Sequence, residues 1–211
     1  MKLSKGQTIS LCVILLLIID QVIKFAVKLN MTMGESIPVF GNWFQIYFIE
    51  NNGMAFGMQW GGELGKLALS LFRIILIGVI VYYIHKLIKK TDTPTGVFIG
   101  VSLVLVGAIG NVIDCLFYGV IFNDSTFTTV AQFLPDGGGY APLLFGRVVD
   151  MFYFPIINTH FPDWFPIWGG EDFVFFRPIF NFADACISVG VVYMILFQRK
   201  FFAAEAQQEK K

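Results

Sequence analysis

Residues 8–29 read TISLCVILLLIIDQVIKFAVKL, an almost continuous apolar stretch that is long enough to cross a bilayer as one helix. Lys2 and Lys5 precede it, as basic residues precede a secretory signal, but no cleavage site of small residues follows. Asp20 and Lys24 instead continue the helical segment. The sequence therefore predicts a retained membrane anchor rather than a signal that is removed.

The composition of the whole chain also favours a membrane protein. Of its 211 residues, 56% are hydrophobic and 14% are charged, whereas soluble domains carry about 25% charged residues. Three further segments are apolar over a sufficient length to span a bilayer: about 67–87, 96–118 and 178–198. Pro178 suits the first turn of the last of these helices. We predict an all-α transmembrane bundle of four helices, with residues 1–211 forming a single integral membrane domain.

Charge and cysteine content exclude other classes of protein. Fifteen basic and fifteen acidic residues give a formal net charge of zero, without the basic surface of a nucleic-acid-binding protein. Cys12, Cys115 and Cys186 lie far apart in apolar segments and lack the spacing of a zinc site or a disulfide framework. We therefore predict no metal, no other cofactor and no nucleic-acid partner.

The distribution of basic residues predicts the orientation in the membrane. Basic residues gather at the N-terminus, between the second and third spans, and after the fourth: Lys2, Lys5, Lys86, Lys89, Lys90, Arg199, Lys200, Lys210 and Lys211. The connections 30–66 and 119–177 contain only three. We expect both termini in the cytoplasm and both long loops outside, with residues 199–211 as a disordered cytoplasmic tail.

The two outward loops have distinct compositions. Residues 38–48 (PVFGNWFQIYF) are aromatic and β-prone, and the Asn-Asn-Gly at 51–53 follows them, which predicts short strands or a hairpin. Residues 119–177 form a long aromatic loop between spans 3 and 4. Its aromatic residues fit either an interfacial belt or an apolar platform on the outer leaflet where a lipid-bearing ligand could dock.

Polar residues inside the spans are costly and therefore informative. Asp20 and Lys24 are four residues apart on one helical face, which predicts an ion pair. Asn111 and Asp114 share a face of the third span and could brace the bundle or orient a catalytic group. Arg73, near the outer end of the second span, is expected to extend toward the lipid headgroups.

Two further carboxylates lie at the same outer boundary of the predicted bundle. Asp150 follows Arg147 by three residues, and Asp184 follows Asn181 by three residues without a Lys or Arg within one turn. Two adjacent carboxylates can share one proton and so provide a base and an acid for the attack of water on a peptide bond. The alternative at this point is that they are two separate structural carboxylates. No HExxH, GxSxG or phosphate-loop motif offers another mechanism.

Five short motifs follow one another in a fixed order along the chain. They are D-Q-x-x-K at 20–24, N-x-G-x-A-F-G at 51–57, G-x-x-G-N-x-x-D at 107–114, G-R-V-V-D at 146–150 and F-N-x-A-D at 180–184. Together they resemble the motifs of the lipoprotein signal peptidases (signal peptidase II), the four-span aspartyl proteases of bacterial inner membranes. The resemblance extends from the first predicted span to the last.

The resemblance implies a reaction and a set of residues. These enzymes cleave the signal peptide of a prolipoprotein just before a cysteine that carries a diacylglyceryl group. Asp150 and Asp184 would be the catalytic pair. Residues at matching positions would support the pair or the substrate: Asp20, Lys24, Asn51, Asn111, Asp114, Arg147 and Asn181. Gly53, Ala55 and Phe56 match a small extracytoplasmic β-cradle of the family.

The resemblance also implies the surroundings of the protein. Its partners would be lipid-modified prolipoprotein substrates and membrane lipids, and we expect a monomer in the bacterial cytoplasmic (inner) membrane with the active site at the outer face. Two features depart from the family pattern. Cys115 stands where many members have Arg, so that the support of this Arg would be absent or come from elsewhere, and the 119–177 loop is longer than in compact members.

Two other functions are compatible with the same residues. The first is a small proton- or cation-coupled membrane transporter that uses the intramembrane carboxylates, although these cluster toward one face of the membrane. The second is a non-catalytic assembly partner that presents its aromatic loops, for which Asp150 and Asp184 would tolerate Asn.

Overall fold

Helices account for most of the computed structural model, which describes residues 3–52 and 62–208. The helices are α1 (Lys5–Lys28), α2 (Gly62–Lys89), α3 (Thr95–Ile113), α4 (Gly119–Ile121), α5 (Phe182–Phe197) and α6 (Arg199–Gln208). A π-helical turn at Asp114–Tyr118 joins α3 to α4 in one continuous helical segment. The strands are β1 (Ser36–Phe40), β2 (Phe44–Asn51), β3 (Val148–Tyr153), β4 (Ile157–His160), β5 (Asp172–Phe175) and β6 (Ile179–Phe180).

Among the described residues, three helical segments are long and apolar enough to cross a membrane: α1, α2 and the segment Thr95–Ile121. The fourth predicted span is shorter than expected: α5 has only 16 residues, too few to cross a bilayer alone, and it continues into α6 at a bend of 71°. A mostly helical membrane fold with three to four spans is therefore confirmed.

The predicted start of the fourth span is wrong. Pro178 precedes the short strand β6, and the helix begins only at Phe182 with Asn181 as its N-cap. The side chain of Asn181 accepts a hydrogen bond from the backbone N–H of Asp184, and the Asp184 carboxylate accepts one from the backbone N–H of Asn181. This reciprocal capping box fixes the helix start, since it satisfies two backbone donors that would otherwise be free.

The predicted disorder of the C-terminal tail is also wrong for residues 199–208, which form α6. Phe201 and Phe202 pack against the helical core, which gives this segment an apolar anchor. Glu205 accepts a hydrogen bond from the Tyr83 hydroxyl at 2.7 Å and forms an ion pair with Lys90. These contacts tie α6 to the end of α2.

α3 is the central helix of the bundle and packs closely against α5. Two glycines allow this approach. A Cβ atom on Gly107 would lie 2.3 Å from the carbonyl oxygen of Ala183, and one on Gly110 would lie 3.0 Å from Cβ of Ala183. The interhelical core around them is apolar, with Val97, Val106 and Leu87 fully buried.

The strands form an antiparallel sheet of four, in the order β1-β2-β3-β6, and a separate hairpin of β4 and β5. The predicted hairpin in the first outward loop is confirmed as β1 and β2. A second apolar cluster packs the sheet against the end of α1 and the π-helical turn, and Phe48, Tyr118 and Met151 are fully buried in it. The 119–177 segment is not only a loop, because it supplies α4 and the strands β3, β4 and β5.

Candidate active site

Asp150 lies on β3, in the middle of the four-stranded sheet. It is paired across the sheet with Ile49 of β2, and it is only 2% exposed. Its carboxylate accepts hydrogen bonds from the side-chain amides of Asn51 and Asn181, the latter at 2.7 Å. A buried carboxylate therefore sits where the sheet meets the first turn of α5.

Asp184 occupies that first turn, as the third residue of α5. The side-chain amide of Asn111, from α3, donates to its Oδ1 at 2.7 Å. Asn181 connects the two acids, since its side chain bonds to Asp150 and its backbone N–H bonds to the Asp184 carboxylate. The structure thus brings together two acids that are 34 positions apart in the chain, 184 minus 150.

The electrostatic environment of Asp150 favours a shared proton. Burial raises the pKa of Asp150, the negative charge of the neighbouring Asp184 raises it further, and the result is a value of about 7. The hydrogen bonds from Asn181 and Asn51 act in the opposite direction but do not cancel this effect. At neutral pH, Asp150 can therefore exist as the acid while a second carboxylate stands beside it.

A buried ionic cluster lies behind the two acids, between α1 and α3. The ammonium group of Lys24 contacts Asp20 at 3.1 Å and Asp114 at 2.7 Å, and all three side chains are fully buried. The predicted Asp20–Lys24 pair is therefore confirmed. Asp20 also accepts a hydrogen bond from the backbone N–H of Ala183 at 2.9 Å, and this joins the cluster to the start of α5.

Arg147, which was expected to support Asp150, contacts other residues instead. In the described part of the chain its guanidinium group donates to Glu50 at 3.0 Å and to Asp124 at 2.6 Å. Arg147 immediately precedes a strand, in which residues three apart lie on opposite faces. The described contacts of Arg147 thus do not include Asp150, and its supporting role stays a prediction.

Sequence reasoning missed a second buried ionic cluster at the end of α1. Lys28 is fully buried, forms an ion pair with Glu50 and donates to the hydroxyl of Ser125 at 2.9 Å. Its ammonium group also lies 5.1 Å from the ring centroid of Phe122. The available signal was the position of Lys28 at the end of an apolar helix, because a lysine there either reaches water or requires a partner.

Arg73, which was predicted to extend toward the lipid headgroups, has a contact inside the protein. Its guanidinium group donates to Sγ of Cys115 at 3.5 Å, so it lies against the helix to which α2 is packed. An arginine from α2 therefore stands beside the position where many family members carry an arginine on the third span.

Three residues of the predicted β-cradle lie outside the described residues: Gly53, Ala55 and Phe56. Of the other predicted site residues, Asn51, Asn111 and Asn181 contact the two acids directly. Within the described ranges, no group of three or more His, Cys, Asp or Glu side chains is arranged to hold a metal ion.

The arrangement can perform acid–base chemistry on a polar substrate. Among the described residues, side-chain amide groups supply the side-chain hydrogen bonds to both carboxylates. The nearest lysine, Lys24, bonds to Asn111 and not to either acid. An amide donor orients a carboxylate without neutralising its charge. One carboxylate can consequently act as a base while the other donates a proton.

Comparison with known proteins identifies relatives over nearly the whole chain. The model of a family described as signal peptidase (SPase) II matches residues 12–200. A lipoprotein signal peptidase from Porphyromonas gingivalis is 50% identical over 195 residues, which are 92% of this chain and 84% of the relative. One from Amoebophilus asiaticus is 38% identical over 188 residues, 88% of this chain and 75% of the relative.

Solved structures show the same fold. A bacterial membrane enzyme determined at 2.3 Å resolution has a TM-score of 0.59 and 25% sequence identity, covering 92% of this chain and 88% of the other. A second, determined at 1.9 Å, has a TM-score of 0.58 and 26% identity, covering 90% of each chain.

Proposed function

The chain belongs to the signal peptidase II family, and we propose that Asp150 and Asp184 form its catalytic pair. As an aspartic endopeptidase of this family, the protein removes signal peptides from prolipoproteins. The transporter alternative is not favoured. The observation that carries the assignment of residues is the set of contacts made by Asn181, which bonds to both acids.

In the proposed mechanism Asp150 holds the shared proton and Asp184 is the base. Its raised pKa, about 7, supports Asp150 as the proton donor. Asp184 takes a proton from water while the oxygen of that water attacks the scissile carbonyl carbon, and Asp150 gives its proton to the carbonyl oxygen. The tetrahedral intermediate then collapses: the C–N bond breaks, Asp184 protonates the leaving amine, and Asp150 recovers its proton from the hydroxyl group.

The proposed substrate is a prolipoprotein with a diacylglyceryl group on its cysteine, and the cut precedes that cysteine. A boundary position supports this choice, because the acyl chains can stay in lipid while water reaches the peptide bond. We propose a monomer in the bacterial inner membrane with both termini cytoplasmic and the active site at the outer face. The basic residues at both chain ends and between α2 and α3 support this orientation.

The test is cleavage of a diacylglyceryl-modified prolipoprotein by purified variants in lipid vesicles. Asp150→Asn and Asp184→Asn should each lower the rate by about 10³-fold, because each removes one member of the acid–base pair. Asp172→Asn is the matched control, since this aspartate is 73% exposed and pairs with His160 on the β4–β5 hairpin. Cleavage at the wild-type rate by either dyad variant would overturn the assignment.

A further inference from the structure

The ammonium group of Lys24 has three acceptors for its three N–H donors. Asp20 and Asp114 supply two, and the third is the side-chain oxygen of Asn111 at 3.2 Å. Lys24 and its two acidic partners are fully buried, so no solvent competes for these contacts. An ammonium group only donates hydrogen bonds, so it must face the oxygen of Asn111 and not the amide nitrogen.

This constraint fixes the orientation of the Asn111 side chain. With its oxygen toward Lys24, the only group that Asn111 can present to Asp184 is its NH₂, which donates at 2.7 Å. A reversed amide would place an NH₂ against the ammonium and an oxygen against the carboxylate, both of which are repulsive. Lys24 thus favours the same orientation of this amide that the Asp184 carboxylate accepts from.

The same constraint extends to Asn181 and Asp150. The Asn111 oxygen also accepts a hydrogen bond from the side-chain nitrogen of Asn181 at 3.0 Å. The same nitrogen donates its second hydrogen to Asp150 at 2.7 Å, and the side-chain oxygen of Asn181 accepts from the backbone N–H of Asp184. The two asparagines therefore form one chain of hydrogen bonds that begins at Lys24 and ends on both acids.

We propose that Lys24 is a positioning residue for the proteolytic reaction: through Asn111 and Asn181 it sets the direction of the hydrogen bonds that both carboxylates accept. This inference rests on the proposed catalytic pair. Directed donors favour the ionised base, whereas a reversed amide would require a protonated carboxyl group opposite it. Lys24 thereby acts on the donors that face the pair without touching either acid.

The test uses a double variant that leaves the net charge of the buried cluster unchanged. Lys24→Met/Asp114→Asn removes one positive and one negative charge, so that long-range electrostatic effects cancel to first order. What remains is the loss of the group that orients the side-chain amide of Asn111. We expect kcat for a diacylglyceryl-cysteine signal peptide to fall about 10- to 100-fold, the effect of one hydrogen bond to a charged group. KM should stay within about threefold, because the substrate contacts are untouched.

The pH profile separates positioning from a general loss of structure. The acid limb of kcat/KM should move to higher pH in this variant, because the base has lost directed donors and binds its proton more tightly. The matched control is Lys28→Met/Glu50→Gln, which removes an equally buried ion pair between the same helix, α1, and strand β2, with no link to Asn111 among the described contacts. Its acid limb should coincide with that of the wild type.

A second variant tests the idea if the double variant fails to fold. Asn111→Ala removes the oxygen that faces Lys24 and the donor to Asp184 without adding a charge, so it should show the same loss of kcat and the same shift of the acid limb. Folded Lys24→Met/Asp114→Asn or Asn111→Ala with wild-type kcat and an unmoved acid limb would overturn the role of Lys24. Activity of Asp184→Asn would instead overturn the catalytic pair itself, so the two failures are distinguishable.

Discussion

Three asparagines provide the side-chain hydrogen bonds to the two acids among the described residues: Asn51 and Asn181 for Asp150, and Asn111 for Asp184. An arginine in direct contact would lower the pKa of Asp150, but amide donors lower it less than burial and the second carboxylate raise it. Asparagine donors therefore leave Asp150 able to hold a proton near neutral pH. The cationic group of Lys24 reaches the pair only through Asn111.

Burial of Asp150 has a consequence for stability that can be measured. Its pKa rises from 3.8 to about 7 on folding. Between these values the folded state binds more protons than the unfolded state, so stability falls as pH rises and levels off above pH 7. The contribution of this residue has a slope of at most about 1.4 kcal/mol per pH unit. We expect thermal unfolding of the wild type to show this decline between pH 5 and 7.

The matched measurement uses Asp150→Asn, which removes the titrating group. The difference in stability between variant and wild type should then change with pH over this window in favour of the variant. Asp136→Asn should run parallel to the wild type, because this aspartate is exposed and has no ion pair among the described contacts. A constant difference between Asp150→Asn and the wild type would show that Asp150 is ionised throughout and is not the proton donor.

Sequence reasoning at this scale succeeded where local spacing carries the contact. The Asp20–Lys24 pair follows from helical spacing. It failed for Glu50 and Lys28, which are 22 positions apart on a strand and a helix. Only the packing of the sheet on α1 brings that pair together, and no periodicity in one segment encodes it.

At the scale of elements, the close packing of α3 on α5 positions the base. Asp184 follows Ala183, whose carbonyl oxygen lies against Gly107. Any side chain at position 107 must push α5 away from α3, and Asp184 moves with it. The glycines of the third span are thus linked to catalysis through the position of one helix.

Gly107→Ala should therefore damage both stability and activity. The new methyl group would lie 2.3 Å from the Ala183 oxygen and from Cγ1 of Ile187, and overpacking of this kind costs about 1–3 kcal/mol. We expect a lower thermal midpoint and a loss of cleavage that exceeds the loss of folded protein. Gly78→Ala is the control, because on α2 a Cβ atom meets nothing within 4 Å. It should be neutral or slightly stabilising; equal effects of the two substitutions would contradict this account.

The bounds of elements were less predictable than their existence. Proline at a helix start is favourable, so Pro178 was a reasonable first residue for the fourth span. The helix starts at Phe182 instead, because the capping box of Asn181 and Asp184 satisfies backbone donors there. Residues 179–180 form a strand that pairs with β3. The aromatic residues of α6 gave no decisive signal in a charged tail, since only their contact with the core orders them.

At the scale of the whole molecule, the site is assembled from segments that are distant in the sequence. The first helix supplies the cation, the third and fifth helices supply Asn111 and Asp184, and the sheet supplies Asn51 and Asp150. Hydropathy could place all of them near one membrane boundary, and the family motifs indicated which of them belong together. Hydropathy could not give the sheet order β1-β2-β3-β6, which depends on long-range strand pairing.

The β4–β5 hairpin is separable from this assembly. The described hydrogen bonds and ring contacts of residues 157–175 are made only with residues 157–177. Trp164 and Ile167 at its tip are 78% and 87% exposed. Ile157 and Phe175 pair across its base, so a two-residue turn can replace the hairpin.

A variant in which Asn-Gly replaces residues 158–174 should fold with a stability within about 1 kcal/mol of the wild type, since deletions at exposed hairpins remove few contacts from the core. It should also keep the acid limb of kcat/KM and cleave a diacylglyceryl-modified prolipoprotein, because the hydrogen bonds around Asp150 and Asp184 come from other elements. The control is Trp164→Ser/Ile167→Ser, which keeps the hairpin and removes only its apolar tip. Loss of cleavage in a folded deletion variant would contradict this separation and assign the hairpin to substrate binding.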